Sequence, residues 1–193
     1  MKDIEPIRKI AEEAHDEWGY KYHICPVVKN ATFLAKKLNA DLEVVSVAAY
    51  LHDLGISAKI TGEAGFAVEN AHHIIGAKEA QKILKELKYP NDFTKEVMNC
   101  ILSHRGRAGP KPITIEQQII ANADAMAHFD TFLNLFTFFV KKSTNSFEEA
   151  VEEIHKKIKR DWEIKLTLPE AKEIVQTKYE AIILILENMK SYF

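Results

Sequence analysis

Apolar residues recur at three- and four-residue spacing along almost the whole chain. No stretch alternates apolar with polar long enough to make a strand. With only 7 glycines and 6 prolines in 193 residues, breakers are too few to punctuate a sheet. The expected fold is therefore all-α. A first helix is expected from near Asp3 to Trp18, with Ile4, Ile7, Ala11, Ala14 and Trp18 on one face. A second begins around Pro26, which a first turn tolerates, and carries Val27, Ala31, Leu34 and Leu38 inward. Asp41 N-caps a third, which buries Val44, Val47, Ala48 and Leu51 and stops at Gly55. Residues 56 to 68, with Gly62 and Gly65, read as a loop. A fourth helix covers about Asn70 to Leu87 and a fifth about Thr94 to Ser103. Thr114 with Gln117 makes a capping-box pattern for a long helix reaching Val140. Ser146 with Glu149, and Thr167 with Glu170, repeat the pattern and open two C-terminal helices. Nothing resembles a linker or a repeat. One domain over residues 1–193 is expected, with a core at about 18–140 and helices at 146–190 packed on it.

Composition narrows the function. A formal net charge of -2 gives no global attraction to nucleic acid or to an anionic membrane. The most apolar run, Phe132 to Val140, falls far short of the ~20 residues a spanning helix needs. The opening residues lack the apolar core of a secretory signal. The 2 cysteines, Cys25 and Cys100, form no close pair. A reducing, cytoplasmic setting is the expectation. The apolar run from Ala181 to Leu186 belongs inside the fold or at the contact of a homodimer. Phe129, Phe132, Phe136 and Phe139 form a helical stripe read as core, while His15 and His155 sit among charges and are expected to be exposed.

The chemistry lies in the remaining histidines and two aspartates. His23 precedes the second helix, His52 and Asp53 close the third, His72 opens the fourth, His104 closes the fifth, and Asp124 lies in the long helix. Side chains at the ends of several helices can converge on one point, which is how a bundle builds a metal site. Neutral imidazole with carboxylate suits Mn, Fe, Co, Ni or Zn. A carboxylate can bridge two ions whereas an imidazole serves one, so Asp53 is the natural bridge if there are two. A charged pair closing the apolar run Val45 to Leu51 would be costly to bury without a partner. Arg105 and Arg107 follow His104, and Lys111 lies close by. The guanidinium fork matches phosphate geometry, so this loop reads as a phosphate clamp, with Lys59 a further candidate. His128 falls one helical turn after Asp124, on the same face, and is a candidate base or substrate contact. Glu63 and Glu69 are candidate acid or base groups from the 56–68 region and its edge.

Ala48-Ala49-Tyr50-Leu51-His52-Asp53-Leu54-Gly55, His72-His73-Ile74-Ile75-Gly76-Ala77, Ile101-Leu102-Ser103-His104 and Ile119-Ile120-Ala121-Asn122-Ala123-Asp124 follow one another in order. Over roughly residues 20 to 135 this resembles the HD superfamily of metal-dependent phosphohydrolases. The resemblance implies an HD-domain helical bundle and a first metal on His23, His52, Asp53 and Asp124. It implies a second metal where His72 and His104 are also present. His72, rather than His73, fits the spacing to Gly76. It further implies a divalent ion, Mg included, and a small phosphorylated substrate such as a nucleotide. The small members that hydrolyse nucleoside triphosphates usually carry a second aspartate three residues after the last one, where this chain has Ala127. Some members with the full six-ligand set are diiron oxygenases, and some HD-like modules bind nucleotides without catalysis. These are the two rival readings.

Overall fold

The computed structural model describes residues 2–57, 71–106, 109–142 and 146–193. Every described element is helical. Helix α1, Glu5–Ala14, buries Ile7, Ala11 and Ala14. It ends four residues short of Trp18, because the Asp16 carboxylate accepts the N–H of Gly19 and starts a new helix. Trp18 is consequently exposed rather than on the buried face. The next helix, α2, runs through three consecutive pieces: Glu17–Gly19, a π-helical turn at Tyr20–Ile24, and Cys25–Lys37. It therefore begins well before Pro26, and His23 sits inside a helix rather than ahead of one.

Helix α3, Leu42–Leu51, is capped as expected: Asp41 Oδ1 accepts the N–H groups of Glu43 and Val44. His52 and Asp53 leave it into a 3₁₀ turn, Leu54–Ile56. Helix α4, His72–Glu86, packs on that turn and on α5, Asn91–Ser103. Helix α5 starts directly after Pro90, three residues earlier than expected. Helix α6, Ile115–Asp130, is the central element and is buried along most of its length. Thr114 caps it by accepting the N–H of Gln117. The expected single helix to Val140 is broken at Thr131, whose Oγ1 lies 2.8 Å from the carbonyls of both Ala127 and Tyr22. Helix α7, Phe132–Lys142, follows.

Ser146 accepts the N–H of Glu149 and opens α8, Phe147–Arg160, which continues into a π-helical turn, Asp161–Lys165. Helix α9, Pro169–Lys190, closes the chain. Thr167 does not cap it. Asn122 of α6 accepts the N–H groups of Thr167 (2.9 Å) and Leu168 (3.0 Å), and its amide donates to Thr167 Oγ1. This clasp binds the C-terminal helices to the middle of α6, two residues from Asp124.

The buried apolar residues form one cluster from Ile7 to Leu186. Phe129 belongs to it, and Phe132, Phe136 and Phe139 pack against it half-buried. In the 181–186 run Ile182 and Leu186 are buried, but Leu184 is 70% and Ile185 51% exposed. Two expected surface residues are not at the surface: His155 is buried and His15 half-buried. No described helix is long and apolar enough to cross a membrane.

Candidate metal centre

Two glycines let the elements that carry the site approach. A Cβ on Gly55 would lie 2.0 Å from the His72 carbonyl oxygen, and one on Gly76 would lie 3.2 Å from Gly55 N and 3.3 Å from His52 O. Backbone meets backbone here, so the start of α4 presses against the His52-Asp53 turn.

The result is a convergence of ligating atoms from five helices. His23, His52 and Asp124 form one triad, and Asp53, His72 and His104 another; within each, the ligating atoms lie within 4.8 Å of one another. Asp53, a member of the second triad, also reaches the first. Its Oδ2 is 3.0 Å from His23 Nε2 and 3.4 Å from His52 Nε2. Its Oδ1 is 3.4 Å from His72 Nε2 and 3.5 Å from His104 Nε2. Asp124 Oδ1 is 3.4 Å from His23 Nε2. The Nε2 atoms of His52 and His23 are 3.3 Å apart, and those of His72 and His104 3.1 Å. So many lone-pair donors aimed at two points fit a cation at each.

Backbone fixes the ring orientations. His52 Nδ1 lies 2.8 Å from the Ala49 carbonyl, and His104 Nδ1 2.6 Å from the Ile101 carbonyl. Both carbonyls belong to the last turn of a helix, where no N–H of the helix satisfies them. An Nδ1–H donated there leaves the Nε2 lone pair facing inward, as a metal ligand requires.

Burial opposes the Asp53 carboxylate, but the adjacent His52, with His104 and His23 close by, holds its pKa well below the usual range. Burial opposes Asp124 as well, and Lys165, His128 and His23 outweigh it. Both are therefore anionic at neutral pH. Burial pushes His104 down to about 4 despite Asp53 beside it. His52 goes the other way, to about 9, because Asp53 and Asp124 outweigh its burial.

His73, the neighbour of His72, belongs to neither triad. Its Nδ1 and Arg105 Nη1 are buried and, among the described residues, have no hydrogen-bond partner. Arg105 follows His104 and is half-buried; Lys111 is exposed. Lys59, Glu63, Glu69 and Arg107 lie outside the described residues. His128 is buried, stacks on His23 with ring centroids 5.4 Å apart, and has its Nε2 3.6 Å from Asp124 Oδ1.

Sequence reasoning did not find what lies behind His128. Its Nδ1 is 2.9 Å from Asp161 Oδ2, which also accepts from Lys157 at 3.0 Å. Lys165 Nζ donates to Asp124 Oδ2. Asp161 is fully buried, and Lys157 and Lys165 are largely but not fully so. The one available signal was the Lys157–Asp161 pair at helical i,i+4 spacing. His15, expected at the surface, instead has its pKa pushed down to about 4 by burial, with Asp53 opposing.

The model of the HD domain matches residues 20–128, more than half of the chain. The chain belongs to the HD domain family. Its HD fold is shared with a predicted HD superfamily hydrolase from an uncultured Thermotogales bacterium, at 20% identity and a TM-score of 0.61, covering 98% of this chain and 92% of that one. The HD domain of the L. monocytogenes phosphodiesterase PgpH aligns at 20% identity and a TM-score of 0.49, over 95% of this chain and 98% of that one. The same domain in complex with cyclic-di-AMP aligns at 0.47, over 96% of each chain. No curated protein sequence matches this HD chain.

Proposed function

We propose that this chain is a metal-dependent phosphohydrolase acting on a nucleotide or another small phosphate ester or anhydride. One observation carries the reading: the two oxygens of Asp53 face two separate triads, an arrangement suited to a pair of divalent ions. Ions bound there would lower the pKa of a coordinated water to ~7 and offset charge on phosphoryl oxygens.

The protein's own groups suit the rest of that task. His23, His52, Asp53 and Asp124 would hold the first ion, and Asp53, His72 and His104 the second. Arg105 Nη1, buried without a partner among the described residues, is a donor waiting for an anion. Lys111 lines a cleft of about 420 Å³ with Gly106, Pro112, Gln118, Ile164 and Thr167. A cleft of that size suits the organic half of a small substrate. His128 is held neutral at pH 7, its pKa pushed to about 4 by burial and Lys157 against the pull of Asp161. With Nδ1–H donated to Asp161, its Nε2 is an acceptor able to take a proton through a water.

The test is metal analysis of the purified protein, then phosphate release from a nucleotide panel after adding back Mn, Fe, Co, Ni, Zn or Mg. Release that depends on metal supports the reading. Full metal occupancy without release from any phosphate ester overturns it. Iron occupancy with oxygen uptake would instead favour the diiron oxygenase.

A further inference from the structure

Asp53 and Asp124 are the two carboxylates of the centre, and they spend their oxygens differently. Asp53 turns one oxygen to each triad. Asp124 turns Oδ1 toward His23, while Oδ2 receives Lys165 Nζ. The ammonium therefore stands where a further cation would otherwise bind. It is held there from both sides. Asn122 clasps the backbone at Thr167 and Leu168, and the Lys165 stem passes 3.4 Å from where a Cβ of Gly106 would sit. Lys165 is only 10% exposed, so water does little to screen its charge.

We infer that Lys165 is a positioning residue that restricts Asp124 to one-oxygen coordination and weakens the hold of the first triad on its ion. The inference rests on the metal-centre reading above. Two effects act in the same direction. A fixed positive charge one carboxylate away repels a divalent ion, and it also withdraws the second oxygen that would make Asp124 a chelating ligand. An ion held in this way is more exchangeable and receives less charge from its ligands, which leaves it a stronger polariser of phosphate.

The consequence runs against the ordinary result of damaging a site. Lys165→Met should bind Mn²⁺ at least tenfold more tightly than wild type, measured by competition with a chelating indicator. Lys157→Met removes a buried ammonium from the same polar network but leaves Asp124 Oδ2 paired, and should stay within threefold of wild type. Unchanged or weaker Mn²⁺ binding by Lys165→Met overturns the inference. If metal-free Lys165→Met does not fold, the chain is refolded with Mn²⁺ and its release into excess chelator is followed. Release slower than wild type supports the inference; equal or faster release overturns it. A wild-type chain that binds no Mn²⁺ sinks the metal centre, and this inference with it. Wild-type binding without tightening in Lys165→Met sinks the inference alone.

Discussion

At the scale of single residues, the centre distinguishes side chains that serve one triad from the one that serves both. His104 contributes one inward nitrogen, which faces Asp53 Oδ1 and His72. Asp53 contributes both oxygens. Asp53→Ala should therefore abolish metal retention and reduce phosphate release to background. His104→Ala should lose the second ion and keep the first. Elemental analysis of the two variants beside wild type decides this. An Asp53→Ala protein that keeps its full metal content contradicts the shared-carboxylate reading. The opposite shifts of His52 and His104 also arise at this scale. Two rings with matching carbonyl tethers part company because His52 feels two carboxylates strongly, whereas burial dominates at His104.

At the scale of elements, two contacts hold the helix ends in register. The first is the backbone approach at Gly55. A methyl group there would meet the His72 carbonyl, which belongs to helix backbone and cannot swing aside. Gly55→Ala should cost about 3 kcal/mol by overpacking, read from urea unfolding, and lower metal content with it. A change below ~0.5 kcal/mol would show that the turn relaxes freely. The second is the buried pairing of Asp161 with Lys157 and His128. Asp161→Asn leaves Lys157 buried without its counter-charge and should cost about 3–5 kcal/mol at pH 7. Burial opposes the Asp161 carboxylate, but Lys157 and His128 outweigh it and depress its pKa. A depressed carboxyl stabilises the fold above its unfolded pKa of about 3.9, and that contribution fades as pH falls below this value. The gap between wild type and Asp161→Asn should thus narrow from pH 7 to pH 3. A gap independent of pH would detach the effect from this charge. These contacts also mark how far the sequence can be read. The caps at Asp41, Thr114 and Ser146 were legible because each depends on a partner three residues away. His52, Asp53, His72 and His104 stood out because histidine and aspartate at helix ends are costly without a partner, and His23 and Asp124 because they complete the ordered set of motifs. The break at Thr131 was hidden, because it answers to Tyr22, 109 residues away. Thr167 answers to Asn122, and Lys165 to Asp124, each across more than 40 residues. A short-range pattern carries no trace of such partners.

At the scale of the whole molecule, the candidate ligands come from helices α2 to α6, including the turn after α3, and the C-terminal helices reach the centre through Lys165 and Asp161. Without cations, that centre holds two buried carboxylates and four inward-facing imidazoles, and their mutual balance depends on protons. With cations, the same groups become mutually attractive, and unfolding must release the ions. Metal should therefore stabilise the entire fold rather than a loop. For one ion at 100 times its Kd, linkage gives about 2.7 kcal/mol. In a domain of this size each kcal/mol moves Tm by about 2–4 °C, so a rise of roughly 5–10 °C is expected. A chelator should reverse it, and the transition should remain a single step, since one apolar cluster spans Ile7 to Leu186. Calorimetry with and without Mn²⁺ tests both parts. A Tm indifferent to metal would mean that no ion binds the folded chain in preference to the unfolded one. A second transition that alone responds to metal would mean that the C-terminal helices unfold apart from the centre, and that the clasp at Asn122 does not couple them.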